Sequence, residues 1–194
     1  MIPLITSAVQ LKSLTLRHPG YSDVDAFFTQ LACAPQLPAL SELKFAGCNR
    51  VAPATLLRFI ARFQATLESL WIENVTVAEG KIGDVLNQLA TLDLPALRCV
   101  TVADCFRVFF CPLIFKQPVM EQCGDGFEFT LRSSRRKSRV NGVRYRGHGD
   151  DIRLALSALG DSSYKLQSGG SEPDTPDMYF PAGMQTGRVV REFA

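Results

Sequence analysis

The stretch Leu40–Cys48, LSELKFAGC, decides how the chain is read. Leu40, Leu43 and Phe45 stand at positions 1, 4 and 6, and Cys48 stands at position 9. Alternation from Leu43 to Phe45 marks a short strand with one buried face, because strand side chains point to opposite sides in turn. The same template returns in LKSLTLRHP from Leu11, LESLWIENV from Leu67 and LRCVTVADC from Leu97. The starts are 29, 27 and 30 residues apart.

Each gap between these segments holds a helical pattern. Val24, Phe27, Phe28 and Leu31 recur at i, i+3, i+4 and i+7, as do Leu56, Phe59, Ile60, Phe63 and Ile82, Val85, Leu86, Leu89. Ser22 is placed to cap the first helix, with Asp23 and Asp25 at its positive end. Pro53 falls in the first turn of the second, where its missing N–H is tolerated. Pro38 and Pro95 precede the second and fourth strands and separate them from the helix before.

A strand–helix unit of this size cannot bury both apolar faces alone, and stacked copies can. The repeats resemble the leucine-rich repeat family in its long, ribonuclease-inhibitor-like form. The pattern L-x-x-L-x-L-x-x-N/C is met in full at Leu40–Cys48 and, with valines, at Leu97–Cys105. Pro19 and Val75 depart from it at position 9. The resemblance implies an α/β solenoid of four to five strand–helix repeats with parallel strands on the concave face. The LPALxxL linkers and the cysteines are most similar to the C-terminal repeat regions of fungal F-box proteins. That likeness implies substrate selection for a ubiquitin ligase. Because the repeats begin by Leu11, ligase recruitment would need an F-box upstream of this chain.

Beyond Phe106 the rhythm breaks. The expected organisation is a repeat domain over 1–160, with 107–139 an irregular insertion or cap, and a flexible tail over 161–194. Two readings of the region before the tail stay open. One is a fifth repeat, with strand 142–146 and a helix over 150–159 carrying Ile152, Ala155, Leu156 and Leu159. The other is a capping β-hairpin, 127–133 with 140–146. In the tail, Met178–Phe180 or Val189–Phe193 are the segments suited to docking.

The 194 residues are 46% hydrophobic and 21% charged, enough to bury a core, with a formal net charge of +2. That balance disfavours a strongly polyanion-binding protein. No apolar run reaches the roughly 18 residues a membrane span needs, and the N-terminus lacks a basic stretch before its apolar residues. An intracellular, cytoplasmic or nuclear, protein is expected. The six cysteines are too sparse for a stapled domain and contain no C-x-x-C pair. They read as thiols, Cys48 and Cys105 filling the turn after a strand. No metal or cofactor is expected. Two histidines and the absence of G-x-S-x-G, P-loop or H-E-x-x-H motifs argue against an enzyme, and no residue is assigned a catalytic role.

Two features remain as candidate sites. Positions 3, 5 and 7 of each strand face away from the core. That face places Trp71, the single tryptophan, among Lys44, Glu42, Ser69, Glu73 and Thr101. An aromatic anchor within a polar rim is the usual form of a protein-binding hot spot. The alternative is that Trp71 is covered by the tail or a helix. The second feature is basic. Arg132, Arg135, Arg136, Lys137, Arg139, Arg144 and Arg146 fall within fifteen positions that contain no acid. A solvated hairpin explains them; binding of nucleic acid or acidic lipid is the functional alternative. The expected function is therefore non-enzymatic recognition of a protein partner, whose identity the sequence does not give.

Overall fold

The computed structural model describes residues 8, 10–17, 24–34, 37–48, 50–103, 105–107, 111–115, 127–134, 137–165 and 188–191. In chain order the elements are β1 (Ser13–Arg17), α1 (Val24–Ala32), β2 (Glu42–Ala46), α2 (Pro53–Ala61), β3 (Ser69–Glu73), β4 (Thr76–Val77), α3 (Ile82–Thr91) and β5 (Cys99–Ala103). There follow β6 (Phe106–Arg107), β7 (Cys111–Phe115), β8 (Phe127–Ser134), β9 (Lys137–Arg146), α4 (Asp150–Ser162), β10 (Ser163–Lys165) and β11 (Arg188–Arg191). The result is a mixed α/β fold with one main open sheet in the order β1-β2-β3-β5-β9-β8-β11.

The first four strands of that sheet are parallel, and each covers positions 3–7 of the nine-residue template. Equal templates pair without offset: Ser13, Glu42, Ser69 and Cys99 form one row, and Thr15, Lys44, Trp71 and Thr101 another. The chain enters each strand through a repeated backbone bond at position 2. The Lys12 carbonyl accepts from Ser41 and Glu42 N–H at 2.9 and 3.0 Å, and the Ser41 carbonyl from Glu68 and Ser69 at 2.8 and 2.9 Å. The Glu68 carbonyl accepts from Arg98 and Cys99 at 2.8 and 3.0 Å. It leaves β2 and β3 through a left-handed residue at position 8, Gly47 at φ 70° and Asn74 at φ 52°. Glycine and asparagine are the residues that tolerate this conformation.

The cysteines at position 9 follow the same rule. Cys48 is buried and its thiol donates to the Leu16 carbonyl of the preceding unit at 3.5 Å. Cys105 is buried likewise and donates to the Ile72 carbonyl of its preceding unit at 3.4 Å. A thiol is small, apolar enough for burial and still a weak donor. It therefore suits a turn that leaves a carbonyl facing inward.

Apolar strand positions and helix stripes meet in one core. Leu43, Phe45, Leu70, Ile72, Val100 and Val102 are buried from the strands, and Phe28, Leu31, Leu56, Phe59, Ile60, Val85, Leu86 and Leu89 from the helices. Phe59 lies at its aromatic centre, 5.6 Å from Phe28, 6.1 Å from Phe45 and 5.2 Å from Phe63 between ring centroids. Asp25, expected only to favour its own helix, also reaches the next unit: its carboxylate accepts the Ala52 N–H at 2.7 Å, where α2 begins. That bond satisfies one of the orphan donors at the helix start. Ser22 and Asp23 lie outside the described residues.

Burial falls off at β1. Leu11 and Leu14 are half-buried, whereas their counterparts Leu40, Leu43, Leu67 and Leu70 are fully enclosed. Among the described residues β1 has a strand neighbour on one side only. Amides of Ser13–Arg17 should therefore exchange on the order of a hundredfold faster than those of Ser69–Glu73, because edge elements open without the rest of the sheet. Equal protection measured by hydrogen–deuterium exchange would contradict this.

The region after Phe106 corrects the expectation of a fifth parallel strand. Strands β8 and β9 form an antiparallel hairpin, Phe127 opposite Tyr145 and Ser134 opposite Lys137. Strand β9 then pairs antiparallel with β5, Val102 opposite Val143. A hairpin must reverse its second strand, and Val143 and Tyr145 give β9 the alternation that places it on the core. The helix expected over 150–159 is present as α4 and packs on α3, with Ile152, Ala155, Leu156 and Leu159 buried. The approach is close at Gly160, where a Cβ would lie 2.8 Å from the Gly83 carbonyl oxygen. Both readings of this region thus hold in part: a hairpin abuts the stack, and a strand–helix pair continues its layers.

The segment expected as an irregular insertion, 107–139, contains β7, β8 and the start of β9. Strand β7 joins β10, β6 and β4 in a second small sheet. The boundary expected at 160/161 falls inside the last turn of α4, and β10 extends past it. Of the tail segments suited to docking, Val189–Phe193 is described as far as Arg191, where β11 pairs parallel with β8, while its last two residues, Met178–Phe180 and the rest of 166–187 lie outside the described residues. Among the described residues no helix is long and apolar enough to cross a membrane.

Candidate functional site

Opposite the helices, positions 3, 5 and 7 of the parallel strands form the open face of the sheet. The antiparallel pairing of β9 extends it by one strand. Arg146 continues the row of Cys99, Arg144 the row of Thr101, and Gly142 the row of Ala103. These rows meet in a cleft of about 440 Å³ lined by Ser13, Thr15, Glu42, Leu43, Lys44, Ser69, Trp71, Cys99, Arg144 and Arg146.

Trp71 is half-buried at the centre of this cleft. Its indole N–H donates to Ser69 Oγ at 3.1 Å, which fixes the ring against its own strand. Lys44, directly opposite on β2, holds its ammonium 4.7 Å from the ring centroid. Arg144 comes from the other side, with its guanidinium carbon 4.5 Å from the centroid. Strand β5 lies between Arg144 and Trp71, so the arginine spans two strand spacings, about 9.6 Å. It can do so because Thr101 is short. The Arg144 Nε donates to Thr101 Oγ1 at 3.1 Å on the way across. Each cation–π contact contributes roughly 0.5–1 kcal/mol at an exposed site and about 2 when desolvated.

Lys44 also forms an ion pair with Glu73, on the adjacent strand one row along. Both side chains keep about a third of their surface in water, at 32% and 40%. Such a pair contributes about 0–1 kcal/mol, so it can be exchanged for another partner at little loss. Glu42 is exposed at the rim.

The residues expected on this face are thus brought together, with one correction. Thr101 is on the open side but only 7% exposed, because Arg144 lies over it. It holds the arginine and does not offer direct contact. The expected separation of the two candidate sites is also revised: Arg144 and Arg146, assigned to a basic segment of its own, line the Trp71 cleft. Of the other five basic positions, Arg135 and Arg136 lie outside the described residues, as do the side chains of Arg132, Lys137 and Arg139. The signal for the missed link was present. Val143 and Tyr145 as core residues force Arg144 and Arg146 to the opposite side, whichever way the strand runs.

Among the described residues no group of three His, Cys, Asp or Glu side chains is placed to hold a metal ion. Cys33, Cys48, Cys99 and Cys105 form no disulfide with one another; Cys111 and Cys123 contribute no described side chain.

The two cations on the indole make a cheap test of this geometry. Relative to a free tryptophan amide under the same conditions, fluorescence of the single tryptophan should have a higher ratio of iodide to caesium quenching at matched ionic strength, because local positive charge concentrates anions and repels cations. A ratio equal to that of the free amide would contradict the placement of Lys44 and Arg144.

No family profile, curated protein or solved structure matches the chain.

Proposed function

We propose that the chain is a short solenoid of the leucine-rich-repeat type that recognises a protein partner on the open sheet face around Trp71. The observation that carries the proposal is the half-buried indole held in a cleft between Lys44 and Arg144, ringed by polar and charged side chains. Rigid aromatic and arginine side chains at the middle of a polar rim supply most of the energy in protein interfaces. Support for the repeat assignment is the unit period near 29 residues and the recurrence of the same backbone and thiol bonds in successive units.

In the F-box proteins that the repeats resemble, recognition of this kind selects substrates for ubiquitin ligation. That role here would require an F-box module acting with these repeats. The test is affinity purification with the wild type, Trp71→Ala and Leu154→Ala, the last an exposed apolar residue on the helix side. A partner retained by Leu154→Ala and lost by Trp71→Ala is the expected result. A partner set indifferent to Trp71→Ala would overturn the proposal.

A further inference from the structure

We infer that the partner lies across the strands of the open face as an extended segment, with a basic residue over Glu42 and an acidic residue over Arg146. This rests on the recognition reading above and adds the course and the charges of the occupant. The shape of the lining carries it. Every member of one row, Ser13, Glu42, Ser69, Cys99 and Arg146, lines the cleft. The row crosses five adjacent strands, from β1 to β9, over about 19 Å, the length of about six extended residues. Lys44, Trp71 and Arg144 of the next row form one wall. The indole N–H donates into this trough, to Ser69 Oγ at 3.1 Å.

The charges of the wall are already committed. Lys44 pairs with Glu73. Arg144 bonds to Thr101 Oγ1, lies on the indole and has a further partner. The floor differs. Glu42 and Arg146 are exposed, and among the described residues neither has an ion-pair partner. They stand on β2 and β9, with the uncharged Ser69 and Cys99 between them.

An occupant of one charge sign meets attraction at one of these residues and repulsion at the other. A segment with one residue of each sign, lying along the row, meets attraction at both. Uncharged residues suit its middle, over Ser69 and Cys99. Both charged side chains of the floor are long and exposed, so what is fixed is the order of the partner's charges along the trough and not their separation. A nucleic-acid strand fits less well, because it would bring phosphates to Glu42 as well as to Arg146.

The experiment is a titration of the isotope-labelled full chain, read by nuclear magnetic resonance at the Trp71 indole N–H, the only indole in the chain. The probes are a capped peptide Ser-Lys-Leu-Ala-Leu-Glu-Ser, its version with Glu in place of Lys, its version with Lys in place of Glu, and an oligothymidylate of about ten nucleotides. The peptide with both charges should bind about fivefold tighter than either single-sign version. Glu42→Arg should move the preference to the acidic peptide, and Arg146→Glu to the basic one. Glu42→Arg and Arg146→Glu together should return the two-charge peptide to within about twofold of its wild-type affinity, because a free peptide can turn end for end. A single-sign peptide or oligothymidylate binding as tightly as the two-charge peptide would overturn the inference. So would a double variant that binds the two-charge peptide no better than the single variants do, or an indole signal that no peptide shifts at millimolar concentration. In each of those cases the recognition reading stands or falls separately, on whether the purified partner depends on Trp71.

Discussion

Phe59→Ala should destabilise the fold by about 3–5 kcal/mol, the range for a buried phenylalanine cut to alanine. Phe59 is fully enclosed and touches the rings of Phe28, Phe45 and Phe63, which come from α1, β2 and the turn after α2. Removing the ring loses its transfer energy and leaves a cavity between two successive units. The neighbours are aromatic and rigid, so they cannot collapse into it. For a domain of this size each kcal/mol lowers the melting temperature by about 2–4 °C, giving a fall of roughly 6–20 °C. Phe59→Leu should recover a large part of the loss, because it refills most of the volume. Phe27→Ala, at a half-buried position on the same cluster, should cost distinctly less. A loss below about 1 kcal/mol for Phe59→Ala by chemical denaturation would mean that the helices are not stacked on this ring.

The core was legible because its signal is repeated. A single L-x-x-L-x-L run is ambiguous, but four at nearly equal spacing, with a 3.6-residue pattern in each of the three gaps between them, fix which faces meet. Leu43, Phe45, Leu70 and Ile72 are buried because their parity leaves no other choice. The direction of β9 was not legible. Val143 and Tyr145 show that the segment is a strand and which side is apolar, but alternation is the same read forwards or backwards. Direction is set by the hairpin that precedes it, and the Asn-Gly pair of the basic segment, Asn141-Gly142, lies inside β9 and not at the reversal between Ser134 and Lys137.

The site was half legible for a related reason. Strand parity put Trp71 outward, and it put Lys44 and Thr101 beside it, since neighbouring templates pair in register. What parity cannot give is reach. Whether a side chain two strands away touches the indole depends on the length of that chain and the height of the residue between. Arg144 crosses to Trp71 only because Thr101 is short and accepts its Nε proton. Read apart from the sheet, Arg144 belongs to a cluster of basic residues; within the sheet it is one wall of the cleft.

Trp71→Ala should weaken partner binding by about a hundredfold while costing only about 2–3 kcal/mol of stability. Both magnitudes follow from the same contacts. The indole is half-buried, on the open side of the sheet, so its loss makes no internal cavity. What the fold loses is two cation–π contacts, with Lys44 and Arg144, and one hydrogen bond to Ser69. What the interface loses is larger. Without the ring, Arg144 keeps only its anchor on Thr101 among these contacts, and Lys44 only its pair with Glu73. The surface offered to the partner is then both smaller and less ordered, and ordering it again on binding adds to the cost. Trp71→Phe separates the two contributions. It retains an aromatic face for the cations but lacks the N–H that bonds to Ser69, so it should recover most of the affinity. Removing Trp71 and Arg144 together should weaken binding by less than the product of the single effects, because each acts through the other. Isothermal titration of the wild type and the four variants against the purified partner reads all of these terms. Strict additivity of Trp71→Ala and Arg144→Ala would mean that the indole and the guanidinium act independently, and that the cleft is not a single binding unit.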